Sequence, residues 1–391
     1  MSATTIPELN FDNLQNQIHG KVTLFGSSDY DDHRQAWNLT IDHRPQVIVE
    51  ALDASDVQAA VRFAQDNGLK LTVQATGHGQ PRHCAAGLLL RLGRLNSVTV
   101  DGASKTAKIG GGAVWGDVIG PAFKQGLAPL SGSSPGVGVV GYTVGGGYGL
   151  MLRHHGLTVD SVRSVQMVLA DGSLVTANET ENPDLFYAIR GGGGAFGVIT
   201  EIEVSLVPHA EVFGGNVAYD ASMAPEVLNA WSAWTKTLPK EVTSGVVMIT
   251  FPPVPFVPEF LHGRSLLIIV ACASLPQEQA EDWLKPIRTM PGAEMDTFRW
   301  MPFTESATLY NDPVNPLPAM GGGTILTDFN SETIDAFLEA VGPIPQSPNL
   351  MIQIRHLGGA AAEVAHEATP LGNRRSAQYL TYLLGVPMPH N

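Results

Sequence analysis

Cysteine is almost absent: Cys84 and Cys272 are the only two in 391 residues. Two thiols build no disulfide framework, and no cysteine–histidine spacing of a zinc motif is visible. A reducing, cytoplasmic compartment is therefore expected. Basic residues are also few. Against 37 Asp and Glu stand 23 Lys and Arg, a net charge of −14. That balance argues against nucleic acid or an anionic membrane as a partner. Long apolar runs are missing as well. The longest, Leu266 to Ala273, is too short to cross a bilayer and reads as a core strand. The start, MSATTIPELNFDN, has neither a basic head nor an apolar stretch, so no secretory signal is expected. No internal repeat is found. The length suits two domains with ample core.

Glycine, by contrast, is abundant. It is densest from Gly132 to Gly149, GSSPGVGVVGYTVGGGYG. Flexible linkers combine Gly with Ser. Here Val137, Val139, Val140, Val144 and Leu150 interleave the glycines, which points to a packed loop around a flat or anionic cofactor. Gly136 to Gly141 also fits G-x-G-x-x-G, and Asp160 lies about where a ribose-binding acid would. The dinucleotide fingerprint needs a strand before it and a helix opening at its end. Pro135 and two serines precede it and Gly145-Gly146-Gly147 follow. Three glycines in a row cannot sustain a helix, so the nicotinamide reading is rejected.

Taken in order, Gln46–Glu50 reads as a strand. Ser55 is expected to cap a helix with Val57, Val61 and Ala64 on one face, ending at Gly68. Leu69–Ala75 is a second strand and delivers Thr76-Gly77-His78-Gly79. The flanking glycines clear space around the His78 ring, yet the residues alone leave it open between a structural and a functional role. Leu88–Leu92 continues as a strand, and Val98–Val100 with Ala107–Ile109 forms a hairpin. Val114–Gly126 is a helix that leads to the Gly loop. Ser161–Leu169 and Ser173–Thr176 form another hairpin about Asp171-Gly172. A helix at Asp184–Arg190 runs into Gly191–Gly194, where backbone N–H groups suit phosphate and a tight turn equally. The strand Val198–Leu206 follows. Beyond Pro208 and His209, strands are read at Asn216–Asp220, Gly245–Phe251, Leu266–Ala273, Ala293–Arg299, Gly323–Asp328, Leu350–Leu357 and Gln378–Leu384. Helices are read at Ala224–Leu238, Gln277–Thr289 and Ser331–Val341. This pattern suits an antiparallel sheet covered by helices.

With these segments in view, the chain resembles the berberine-bridge-enzyme-like FAD-linked oxidases, a branch of the vanillyl-alcohol-oxidase superfamily. Four segments carry the resemblance. Thr76–Gly79 resembles the family's GGH segment, and Ser133–Gly138 its Gly-x-Cys-x-x-Val-Gly segment. Tyr142–Gly149 resembles its GGGxG turn, and Asp184–Ile199 its DLFWAxRGGGxxFGVVT segment. The resemblance implies an α+β fold. A PCMH-type FAD-binding domain of two α+β subdomains would fill residues 1–209 (core about 42–208). A substrate domain with a helix-covered antiparallel sheet would fill 210–391. It implies FAD as cofactor, joined through one covalent bond to His78. Ser134 stands where some members have a second anchoring cysteine, and Cys84 is read as a buried thiol. Thr76, Gly77, Gly79, Ser133, Ser134, Val137, Gly138, Gly141, Tyr142, Gly146, Gly147, Gly197, Val198 and Ile199 would contact the cofactor. A small branched Val137 suits oxygen as the acceptor.

The resemblance implies hydride transfer from a small organic substrate to the flavin, with oxygen reduced to hydrogen peroxide. Its catalytic base is expected at Tyr382 or Tyr379, with Gln353, Arg355 and His356 as substrate contacts. Strand alternation sets Gln353 and Arg355 on one face and Ile352, Ile354 and His356 on the other. A dehydrogenase with a non-oxygen acceptor, and a flavin-binding protein without catalysis, are the alternatives. Family members continue past the last strand with a return segment. This chain stops at Pro389-His390-Asn391, so a homodimer partner would be one source of the missing wall.

Overall fold

Three sheets organise the chain, and each follows from a different hydrophobic pattern. The computed structural model describes residues 9–79, 82–255, 257–347, 349–365 and 367–385. The expected leaderless start and the ending at residues 389–391 lie outside the described residues.

The first sheet has the spatial order Lys21–Leu24, Val47–Glu50, Leu88–Arg91, Leu71–Gln74, with its last three strands parallel. Val47–Val49 and Leu88–Leu90 are buried without alternation, as expected of parallel strands covered on both faces. The helix Ala54–Asp66 packs on it through Val57, Ala60, Val61 and Ala64. Its cap is Asp53 rather than the expected Ser55: the Asp53 carboxylate accepts from Asp56 N. Ser55 already lies inside the first turn, where its hydroxyl only supports Asp53. The helix Phe11–Gln17 and the strand Lys21–Leu24 were not anticipated, because their short polar sequences carry little periodicity.

The second sheet is antiparallel, ordered Val98–Asp101, Thr106–Gly110, Val198–Ser205, Val162–Val168, Leu174–Asn178. The helix Trp115–Phe123 covers it, with Trp115, Val118 and Ala122 fully buried.

The third sheet has seven antiparallel strands, in the order Arg299–Pro302, Glu211–Asp220, Ser265–Ala273, Val242–Thr250, Met351–His356, Tyr379–Gly385, Met320–Leu326. Several boundaries differ from expectation, and two of them have a visible cause. Glu211–Asp220 begins before Gly214-Gly215, since a Cβ on Gly215 would stand 2.4 Å from Phe298 Cα. These glycines serve close packing rather than ending the strand. The expected strand Ala293–Arg299 is instead Arg299–Pro302, because Met295 takes a left-handed φ of 52° that interrupts extended backbone.

The helices Ala224–Thr235, Gln277–Arg288 and Ser331–Val341 cover one face of this sheet. Trp231, Leu284 and Ile334 pack there against Val246, Ile269 and Ile354. The opposite face meets the Gly loop and the helix that covers the second sheet: Val247, Val270 and Cys272 share a cluster with Trp115, Val139 and Met151. Full burial of each such side chain contributes roughly 1.5–3 kcal/mol. A continuous apolar seam therefore fixes this face of the third sheet over the Gly loop.

Candidate functional site

His78 sits where the first sheet's Leu71–Gln74 strand ends. Thr76 Oγ1 lies 3.1 Å from its Nδ1, and the Trp37 ring stacks on it at 4.0 Å between centroids. Gly77 makes this approach feasible: it has a φ of +81°, and a Cβ there would fall 2.7 Å from Ala36 Cβ. Burial pushes the imidazole down to about 4, so the ring is neutral at pH 7 and keeps a nucleophilic lone pair.

The Gly loop faces this turn. Val137 O accepts from Trp115 N at 3.1 Å, and Pro135 O accepts from Gly116 N at 2.9 Å. A Cβ on Gly136 would lie 3.8 Å from His78 Cε1, and one on Gly138 would lie 3.5 Å from Ala75 Cβ. The Thr76–Gly79 and Ser133–Gly138 segments are thus side by side. A short helix, Val139–Val144, opens at Gly138. A helix does therefore open within the G-x-G-x-x-G segment, and Gly145 caps it after six residues. Gly147 admits the Tyr142 ring, since a Cβ there would stand 2.8 Å from Tyr142 Cε1. Gly141 and Gly79 are exposed with open space at their Cβ positions.

The second Gly cluster is shaped by close contact. A Cβ on Gly191 would fall 2.6 Å from Leu371 Cγ, and Gly146 meets the same leucine at 3.4 Å. Gly197 (φ +155°) approaches Val168 O, with Val198 and Ile199 buried beside it. Val198 joins the core of the first sheet and Ile199 that of the second, so the pair marks the seam between them. Gly110-Gly111-Gly112 lies on this seam too, a run the sequence reading passed over. A Cβ on Gly111 would stand 2.3 Å from Ile199 O, and one on Gly112 would stand 1.7 Å from Leu92 O.

The third sheet closes the site. Trp37 Nε1 donates to Val314 O at 3.4 Å, Asn38 Nδ2 donates to Ala319 O at 2.8 Å, and Ser133 Oγ donates to Asp312. Segment 312–319 thereby ties His78's platform and the Gly loop to the sheet. Gln353 pairs with Tyr382 across neighbouring strands, and Arg355 pairs with Gly245. All four lie on the face that carries Val247 and Val270. Arg355 donates to Gln353 Oε1 at 2.8 Å, and its Cζ stands 3.8 Å from the centre of the Tyr310 ring. Tyr310 was missed in the sequence, where it follows a short 3-10 turn with no motif. A Cβ on Gly321 would fall 2.3 Å from Tyr382 Oη, so the Met320-Gly321-Gly322-Gly323 strand is bare where that ring lies.

Two expected residues are not on this face. Tyr379 is buried under the helices, bonded to Thr235 Oγ1 at 2.8 Å and packed on Trp231 and Phe329. His356 is beside it, accepting from Arg153 Nη1 at 3.0 Å through Nε2. Both lie on the helix face because strand side chains alternate. This placement argues against a catalytic Tyr379, and His356 reaches only the edge of the cavity that Tyr310 and Arg355 line.

The residues fit a large polar cofactor. Four buried side-chain groups without a hydrogen-bond partner surround the Gly loop: Trp115 Nε1, Ser131 Oγ, Tyr142 Oη and Thr143 Oγ1. Unpaired buried polar groups are rare in folded proteins. Residues 45–178 match the FAD binding domain family. The matched stretch, about a third of the chain, is similar to that domain. The chain is 38% identical over 191 residues to (R)-6-hydroxynicotine oxidase of Paenarthrobacter nicotinovorans, covering 48% of this chain and 42% of that protein. The match thus spans under half of the nicotine oxidase. It is 28% identical over 386 residues to the uncharacterized FAD-linked oxidoreductase YgaK of Bacillus subtilis, covering 95% of this chain and 82% of that one. Berberine bridge enzyme from Eschscholzia californica shares the fold with a TM-score of 0.82 at 19% identity, covering 97% of this chain and 80% of that one. Among the described residues no helix is long and apolar enough to cross a membrane.

Proposed function

We propose that this chain is an FAD-linked oxidase of a small organic alcohol, amine or sugar, with FAD joined to His78 by a single covalent bond. The observation that carries the reading is the neutral, Trp37-stacked His78 set against the Ser133–Gly138 segment. With Nδ1 held by Thr76, Nε2 is the nitrogen left to bond the flavin. Ser134 offers no thiolate for a second bond. Val198 and Ile199, at the seam of the first two sheets, would help to hold the cofactor. Bound FAD supplies a hydride acceptor and a path for two electrons onward to oxygen.

The chain's own groups divide the remaining work. Tyr382 suits the base that takes the substrate's O–H or N–H proton, since a general base must reach the proton it removes. Arg355, braced by Gln353 and Tyr310, brings positive charge to the face above the Gly loop. A fixed cation there would stabilise negative charge that develops during turnover. Apolar Val247, Val270 and Cys272 exclude water beneath it. Val137, small and branched, suits passage of oxygen.

Purified protein should be yellow, and the colour should remain with acid-precipitated protein. In His78→Ala the flavin should wash into the acid supernatant. Wild-type flavin that is released by acid would overturn the covalent bond. Mixing substrate-reduced enzyme with aerated buffer separates oxidase from dehydrogenase: rapid reoxidation by air is expected. Reoxidation only by an artificial dye would overturn the oxidase reading.

A further inference from the structure

Away from the flavin face, three histidines converge at a junction that the mechanism does not use. His154 and His155 end the short helix after the Gly loop, and His209 lies where the chain passes from the second sheet to the third. Their rings are mutually close: centroids are 4.0 Å apart for His154–His155, 5.0 Å for His155–His209 and 5.3 Å for His154–His209. One nitrogen from each lies within 4.8 Å of the other two. A tetrahedral zinc ion at about 2.05 Å from each nitrogen needs them about 3.3 Å apart, so the His154 and His155 rings must turn out of their 30° stack to aim at one ion.

The surrounding bonds favour the metal-binding protonation state. Ser274 Oγ donates its one proton to Glu241 O at 3.2 Å and must therefore accept from His154 Nδ1 at 2.7 Å. His154 then carries its proton on Nδ1 and leaves Nε2 with a free lone pair. A ligating histidine typically has its other nitrogen held by an oxygen acceptor in this way. The His154 Nε2 atom lies 4.0 Å from Glu241 Oε1, a carboxylate placed to be a fourth ligand. His155 Nε2 is buried and has no partner. The nearby Lys240 ammonium lies 3.9 Å from Glu363, which offsets its repulsion of a cation.

We infer that His154, His155, His209 and Glu241 form a binding site for a divalent, zinc-class cation. Imidazole with one carboxylate suits zinc, nickel or copper rather than magnesium or calcium. The site would clip together three parts of the chain: the helix Leu152–His155, the 209 crossover and the third sheet.

The test uses the FAD-loaded protein, stripped with EDTA and titrated with Zn²⁺ at pH 7.5 by calorimetry, with metal content read after desalting. One Zn²⁺ per chain and a rise in melting temperature are expected, because a ligand of the folded state alone stabilises it. His155→Gln and His209→Gln should each weaken binding at least tenfold and abolish the thermal rise. The His154→Gln, His209→Gln double variant should retain no stoichiometric metal, while its flavin spectrum stays unchanged. His19→Gln, at a second His–Asp cluster with Asp53 and Asp56, should leave binding unaltered. Absence of stoichiometric binding, or equal binding by wild type and the double variant, would overturn the site.

Discussion

The two faces of the third sheet are built from the same strands and meet opposite surroundings. On Met351–His356, Gln353 and Arg355 face the Gly loop, whereas Ile352, Ile354 and His356 face the helices. On the next strand, Tyr382 is 37% exposed and Tyr379 is 3% exposed. On the helix face Tyr379 bonds Thr235, and Arg153 donates to Val242 O and Leu357 O. The cofactor face keeps glycines, a braced cation and a half-open phenol. Period-two alternation thus sends two tyrosines three residues apart to opposite faces of the sheet.

Exchanging single groups on the two faces should break this symmetry most clearly at Tyr382. Tyr382→Phe should lower turnover by about 10²–10⁴-fold, the usual contribution of a general base, with stability changed by less than about 0.5 kcal/mol. Turnover within threefold of wild type would remove Tyr382 from the chemistry. Arg355→Met comes next. Loss of one preorganised charge should lower turnover by about 10²-fold, and Tyr310→Phe by less, since the ring face under Arg355 is kept. Equal losses in the two variants would show that packing, not charge, matters there.

The reverse pattern is expected on the helix face. Tyr379→Ala should cost about 3 kcal/mol of stability, as truncation of a buried aromatic does. Tyr379→Phe should cost about 1 kcal/mol through its lost bond to Thr235. Turnover of the folded Tyr379→Phe protein should match wild type. Denaturant melts and initial rates on the same preparations distinguish the two faces. A Tyr379→Phe enzyme that folds normally but does not turn over would return this residue to the site.

Much of this contrast was legible in the sequence, and its gaps have physical causes. Gln353 and Arg355 could be separated from His356 by alternation alone. Choosing between Tyr379 and Tyr382 needed the strand's orientation, which depends on what lies beneath the sheet. Cys84 is buried as expected, at 2% exposure. Glycine density marked the loop facing His78, because close approach leaves a compositional trace. The roles of Trp37, Tyr310 and Asp312 left none: each acts through a partner over 40 residues away. The helix opening at Gly138 was masked by the three glycines that end it. The His154–His155–His209 cluster joins positions more than 50 residues apart, so a spacing rule passes over it.

The smallest expected effect concerns protons. His356 is held well below its ordinary value of 6.5, first by burial and then by the Arg153 guanidinium. On the other side of the molecule, burial alone takes His78 to about 4. A group whose folded pKa is depressed binds fewer protons folded than unfolded. Its stabilisation is therefore present above the unfolded value and lost as pH falls towards the folded one. In EDTA, the melting temperature should be flat above pH 7 and decline from about pH 6.5 towards 4. His356→Gln, with its amide able to keep a bond to Arg153, should shallow that decline because it removes one buried proton acceptor. Tyr382→Phe should leave the shape of the curve unchanged. A His356→Gln profile as steep as wild type would place the acid sensitivity with His78 and the histidine junction, and would make the helix face neutral to pH.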